Sequence, residues 1–156
     1  MWALRSLMLL ALIVWIGGII FFAFVLAPTL FSVLPTPQMA GDVVSPALIK
    51  LHNIGLVSGV IFLLCSLLCD RFRYARLRPL TAANVLIVLM LVLTAISQYS
   101  ITPHMKELRS SNMNAIGVRA EFDHLHSWST RLESSVLVLG IVLVAVTARR
   151  MGDSSR

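Results

Sequence analysis

The sequence predicts an all-α membrane protein, a four-helix transmembrane bundle of up-down topology with both termini in the cytoplasm. Three observations predict it. Of 156 residues, 58% are hydrophobic and 13% charged, against roughly a quarter charged in ordinary soluble domains. A soluble fold of this size cannot bury that much apolar surface, so lipid must cover part of it. The apolar residues fall into four long runs, and mean hydropathy is +0.87. The arginines collect in short stretches beside those runs, where they act as topology signals. The net charge of +6 therefore does not point to nucleic acid. The length suits one domain, residues 1–150, with a short cytoplasmic tail at 151–156. The spans are expected at about 3–27, 46–69, 80–101 and 124–148.

The first span carries Trp15, Gly17 and Gly18 in an uncharged run from Ser6 to Gly41. That run far exceeds the roughly 7–15 residues of a signal-peptide core, so it reads as an uncleaved span. Pro28 is expected to end it, because the residue before a proline avoids the α region. Pro35, Pro37, Gly41 and Pro46 then read as loop punctuation, and Pro46 as the first turn of span two. Gly55 and Gly59 form a GxxxG there. With Gly17 and Gly18 they are expected to be helix-packing positions, and they leave room for a homo-oligomer. Cys65 and Cys69 lie one helical turn apart in an apolar run, which excludes a secreted disulfide framework.

Arg71, Arg73, Arg76 and Arg78 separate spans two and three. After Pro103 and His104, the polar segment Met105–Arg119 reads as a loop with room for a short interfacial helix. Only 15 uncharged residues separate Glu133 from Arg149, about 22 Å of helix against a hydrocarbon core of about 30 Å. Span four must begin earlier, near Asp123–Ser127, which draws Arg131 and Glu133 into or against the membrane. Eight basic residues fall on the side of the termini (Arg5, Arg71, Arg73, Arg76, Arg78, Arg149, Arg150, Arg156) and five on the other (Lys50, Lys106, Arg109, Arg119, Arg131). The positive-inside rule makes the first side cytoplasmic, in what reads as a bacterial inner membrane.

All four histidines then fall at the opposite end. His124 and His126 cannot chelate one ion from the same helix, since i and i+2 lie about 200° apart. Asp123, His126, Thr130 and Glu133 share one stripe, with Ser129 alongside, while His124 shares another face with Trp128 and Arg131. An intramembrane carboxylate usually faces the bundle interior or a wet cavity. Asp123, His126 and Glu133 are therefore expected to face His52 and Gln98. His52, His126, Asp123 and Glu133 are the candidate ligands for a divalent metal, and the same groups could relay protons or bind haem. Against this stands the reading of interfacial histidines and a Glu133–Arg131 pair. The sequence contains no phosphate-binding loop, GxSxG, HExxH or CxxC, which argues against the enzyme chemistries that use them.

In order along the chain, Trp15-x-Gly17-Gly18, Ala27-Pro28-x-x-Phe31, Gly41, Ile101-Thr102-Pro103 and Phe122-x-x-Leu125-His126-x-x-Ser129-x-x-Leu132 resemble the transmembrane protein 205-like family. That is a group of small four-span membrane proteins long described as a domain of unknown function. The resemblance implies the fold and no established reaction. His126 and Ser129 match its pattern directly. Glu133 stands where the pattern tends to have Asn, which weakens any shared proton-relay role. The leading expectation is a non-enzymatic membrane protein that binds or moves a metal ion or small solute. The alternatives are a haem- or porphyrin-binding redox protein and a ligand-free structural or assembly protein.

Overall fold

The computed structural model describes residues 2–74, 80–111 and 116–152. Arg76, Arg78, Pro79 and the last four residues, with Arg156, lie outside the described residues. The chain forms four long helices, each apolar enough to cross a membrane: α1 (Trp2–Val33), α2 (Pro37–Tyr74), α3 (Ala82–Ser110) and α4 (Ile116–Gly152). They follow one another around the bundle. α1 meets α2, α2 meets α3, α3 meets α4, and α4 closes back on α1 through the smallest of the four interfaces. At 29 to 38 residues they are about 44–57 Å long, well beyond the roughly 30 Å hydrocarbon core. The surplus projects past the membrane boundary.

That surplus corrects several sequence expectations. Pro28 does not end α1, which continues to Val33. A proline clashes with the carbonyl four residues back and cannot donate. Here the clash is absorbed by a wider π turn at Phe22–Leu26, in which the Ala27 N–H bonds to Phe22 O. The same device recurs in α3. A π turn at Ser97–Ile101 precedes Pro103, and Ser97 O accepts both the Thr102 N–H and, at 2.8 Å, the Thr102 hydroxyl. Such bulges keep a helix continuous through a residue that would otherwise break it.

The expected loop between spans one and two shrinks to Leu34–Thr36. Thr36 caps α2, its hydroxyl accepting from Met39 N at 3.2 Å, and Pro37 sits at the first helical position, where a missing donor costs nothing. Pro46 is interior to α2 rather than at its start. The polar stretch expected as a loop at Met105–Arg119 is mostly the end of α3 and the start of α4. Thr81 caps α3 by accepting from Asn84 N at 3.4 Å.

We call the end bearing Trp2, Asp70, Ala82 and Arg149 basal, and the other end distal. The basal half is filled by Leu12, Trp15, Phe62, Ile87, Met90 and Leu143, each at most 1% exposed. Trp15 lies on the GxxxG of α2. A Cβ at Gly55 would collide with its Nε1 and one at Gly59 would come within 2.6 Å of its ring. The groove is thus filled by the chain's own indole. A Cβ at Gly18 would meet the tip of Leu51 at 2.8 Å, whereas one at Gly17 would meet nothing within 4 Å. A Cβ at Gly140 of α4, which drew no notice in the sequence, would meet Ile16 and Met90 at 3.0–3.2 Å. Ile13, Val57, Val138 and Ile141 point outward, as lipid-facing positions do.

Candidate functional site

Three helices contribute one buried polar contact in the distal half. His52 of α2 is 1% exposed. Its Nδ1 lies 2.9 Å from Gln98 Oε1 of α3 and its Nε2 lies 3.2 Å from Glu133 Oε1 of α4. Gln98 Nε2 donates in turn to Asn53 Oδ1 at 3.5 Å, which leaves the Gln98 carbonyl facing the imidazole. Nδ1 must then carry a hydrogen. A hydrogen bond between Nε2 and Glu133 Oε1 needs one proton between them, on the ring or on the carboxyl. Glu133 Oε2 is enclosed and has no hydrogen-bond partner.

Beside this contact is a cavity of about 340 Å³, at the lower end of the range for ligand pockets. Its α4 wall is His126, Ser129, Thr130, Glu133, Ser134 and Leu137. α1 supplies Ile19, Phe22, Phe24, Ala27 and Phe31, α2 supplies Gly41, Val44, Ser45 and Leu48, and α3 supplies Thr102, Met105 and Arg109. The cavity exists because α1 has no buried residue in its π turn or beyond, so its distal third stands off from α4.

The mouth is fixed by Arg109. Its Nη1 donates to Gly41 O at 2.6 Å and lies 3.8 Å from Asp42 Oδ1, and its guanidinium sits 5.5 Å over the Phe122 ring. A Cβ at Gly41 would meet the guanidinium at 2.8 Å, so any other residue there would shift the Arg109 side chain. Phe122 also stacks parallel to His126, ring centroids 6.3 Å apart. Nothing in the residue pattern marks Arg109 for this role. Only the continuation of α3 past Pro103 brings it over the start of α2.

The candidate ligands are thus distributed over three places. His52 and Glu133 are in contact, His126 is at the cavity wall about 10 Å farther along α4 than Glu133, and Asp123 is exposed and does not line the cavity. Both ring nitrogens of His52 are already engaged. Among the described residues no three His, Cys, Asp or Glu side chains come together as metal ligands. His104, on helix rather than loop, pairs with Glu121 at 3.2 Å, both half exposed. His124 accepts from Trp128 Nε1 at 3.1 Å, and Arg131 lies 5.8 Å over the Trp128 ring. Arg131 therefore stacks on Trp128, and the Glu133 carboxyl turns to His52. Cys65 and Cys69 lie one turn apart in α2 and form no disulfide.

Neither a curated protein nor a solved structure matches the chain. One family model does, over residues 10–114. The match runs from α1 to just past the end of α3, and so includes Trp15, Gly55, His52, Gln98 and Arg109 but not Glu133. Covering two thirds of the sequence, it places this helical membrane protein in a family: the chain belongs to DUF4149, described as a domain of unknown function.

Proposed function

We propose that this protein binds a small, largely apolar solute within the membrane, in the distal cavity, with the His52–Gln98–Glu133 contact as its polar wall. The observation that carries the reading is Glu133. Its side chain lines a cavity of about 340 Å³ while one carboxyl oxygen is held by His52 and the other has no partner. Buried polar groups are nearly always paired, and a partner for Oε2 can reach it from the cavity after a small side-chain rotation. A solute site is favoured over a metal site because His52 has no free ring nitrogen and His126 and Asp123 stand apart from it. The likeness to transmembrane protein 205-like proteins supports the four-span layout and adds no reaction. Arginine counts support a cytoplasmic basal end, which puts the cavity on the outward side.

Dicyclohexylcarbodiimide tests the reading, being an apolar solute that reacts with buried carboxyl groups. In proteoliposomes it is expected to modify Glu133, identified by peptide mass spectrometry. The Glu133→Gln variant should lose that modification, and Ala27→Trp, which fills the cavity, should slow it strongly. Unmodified Glu133 in the folded wild type, or a rate indifferent to Ala27→Trp, would overturn the proposal.

A further inference from the structure

The hydroxyls on the cavity wall are not free to choose their role. The Thr102 hydroxyl donates to Ser97 O at 2.8 Å, Thr130 to His126 O at 3.0 Å, and Ser134 to Thr130 O at 2.9 Å. Each proton is spent on the helix's own backbone, as is usual for Ser and Thr in helices. What these three side chains offer a ligand is lone pairs. Glu133 Oε2, once a small rotation of the side chain opens it to the cavity, adds an acceptor, and it does so in either protonation state of the pair. If the shared proton sits on Nε2, Oε2 is a carboxylate oxygen. If the proton sits on Oε1, Oε2 is a carbonyl oxygen. The middle of the cavity is therefore dominated by acceptors. Ser45 and Ser129 are the lining hydroxyls that remain free to turn, and Arg109 and His126 stand at the mouth.

We infer that the cavity selects a membrane-dissolved amphiphile whose head group donates hydrogen bonds, an alcohol or amine of long alkyl chain. This rests on the reading of the cavity as a solute site and adds the chemistry of the solute. A donor head satisfies the wall, whereas an ether or ester head brings acceptors against acceptors and leaves both unpaired. The route from the bilayer is the opening between α1 and α4. Phe24 and Phe31 line the cavity and are also 69% and 49% exposed on the outside, so an alkyl chain can lie between these rings while its head reaches Thr130 and Ser134. Counting 20 residues of helix for a core of about 30 Å from Arg149 places Ser129 near the membrane boundary. Thr130 to Leu137 therefore sit at acyl-chain depth, where a lipid-dissolved alcohol is available.

The test uses photoreactive diazirine probes of one chain length, differing only in the head: an alcohol, its methyl ether and the corresponding carboxylic acid. The wild-type protein is reconstituted in phosphatidylcholine vesicles, and adducts are mapped by mass spectrometry. The alcohol is expected to label cavity residues such as Phe22 and Leu137 about fivefold more than the ether, the weight of roughly one net hydrogen bond. All three probes should label the lipid-facing Val138 and Ile141 alike. The Thr130→Val/Ser134→Ala double variant, which keeps the volume and removes two acceptors, should bring the ratio toward one. Equal cavity labelling by alcohol and ether would overturn the inference and leave the solute site standing. Preferential labelling by the acid would overturn it in favour of Arg109 and His126 at the mouth. No cavity labelling by any probe, with Glu133 still reached by the carbodiimide, would also sink the inference alone.

Discussion

The basal and distal halves of this bundle are built from the same four helices and solve opposite problems. In the basal half, glycines at 55, 59 and 140 let side chains from neighbouring helices press against backbone, and Trp15, Phe62, Met90 and Leu143 fill the interior. In the distal half α1 passes through its π turn, has no fully buried residue from there on, and stands away from α4. The space left between them is lined by hydroxyls, a carboxyl and aromatic rings. In membranes there is little hydrophobic drive between helices, so close packing of small residues holds them together. The basal half can therefore carry the stability that the hollow half gives up. Functional sites commonly sit in the less stable part of a fold.

The largest expected effect follows from that division. Gly55→Leu should drive side-chain atoms into the Trp15 indole, a large residue 1% exposed with no space to move into. Overpacking of this kind costs about 3 kcal/mol, and unfolding in mixed SDS micelles should show it. Gly17→Leu adds the same atoms where nothing lies within 4 Å, and should change stability by less than about 0.5 kcal/mol. Equal effects at the two sites would mean that the basal interlock does not hold the bundle.

Next in size is the buried polar contact of the distal half. His52→Leu leaves Glu133 without its partner, and loss of one member of a buried pair costs about 3 kcal/mol. Replacing both residues by leucine should recover much of that loss, since apolar pairs of similar volume often equal buried ion pairs. A double variant as unstable as the sum of the singles would show that His52 and Glu133 are not coupled.

How far the sequence reveals these halves differs for physical reasons. Hydropathy alone locates four helices, because a bilayer demands a long uncharged run and little else. The helical register of α4 places His126, Thr130 and Glu133 on one stripe, and those residues do line one wall. Asp123 obeys the same periodicity, yet it sits beyond the reach of α1 and α2. The helix ends are poorly legible because proline is ambiguous. Pro28 and Pro103 look like terminators, and a π turn before each makes them internal. With the ends misjudged, Arg109 and Gly41 fall in loops, and the mouth they form is invisible. A π turn has no composition of its own, but Ala27-Pro28 and Thr102-Pro103 recur at the matching distal points of α1 and α3, a repeat that could have signalled it.

A smaller effect is expected at the mouth. Arg109→Gln removes the guanidinium from Gly41 O and Phe122 while leaving the basal half untouched. The loss of a charge-assisted bond and a part-exposed cation–π contact is about 1–2 kcal/mol at most, and it should be local. Hydrogen exchange at the start of α2 should quicken, and exchange around Leu143 should not.

The smallest effect sharpens the comparison most. Ala27 and Ala83 are both alanines in helices, the first on the cavity wall and the second 2% exposed in the basal core. Ala83→Leu must displace packed neighbours and should cost about 1–3 kcal/mol. Ala27→Leu places three carbon atoms in space that is already empty. Each buried methylene contributes about 0.8 kcal/mol when it leaves water, but the cavity faces lipid as well as water, so the net gain should stay under about 1 kcal/mol. The sign is what matters. A variant that is neutral or slightly more stable at position 27, with Ala83→Leu clearly worse, would show that the distal half is kept hollow at no benefit to folding. Destabilisation at both positions would mean that α1 and α4 close on each other in the bilayer, and that the cavity is not a standing feature of the bundle.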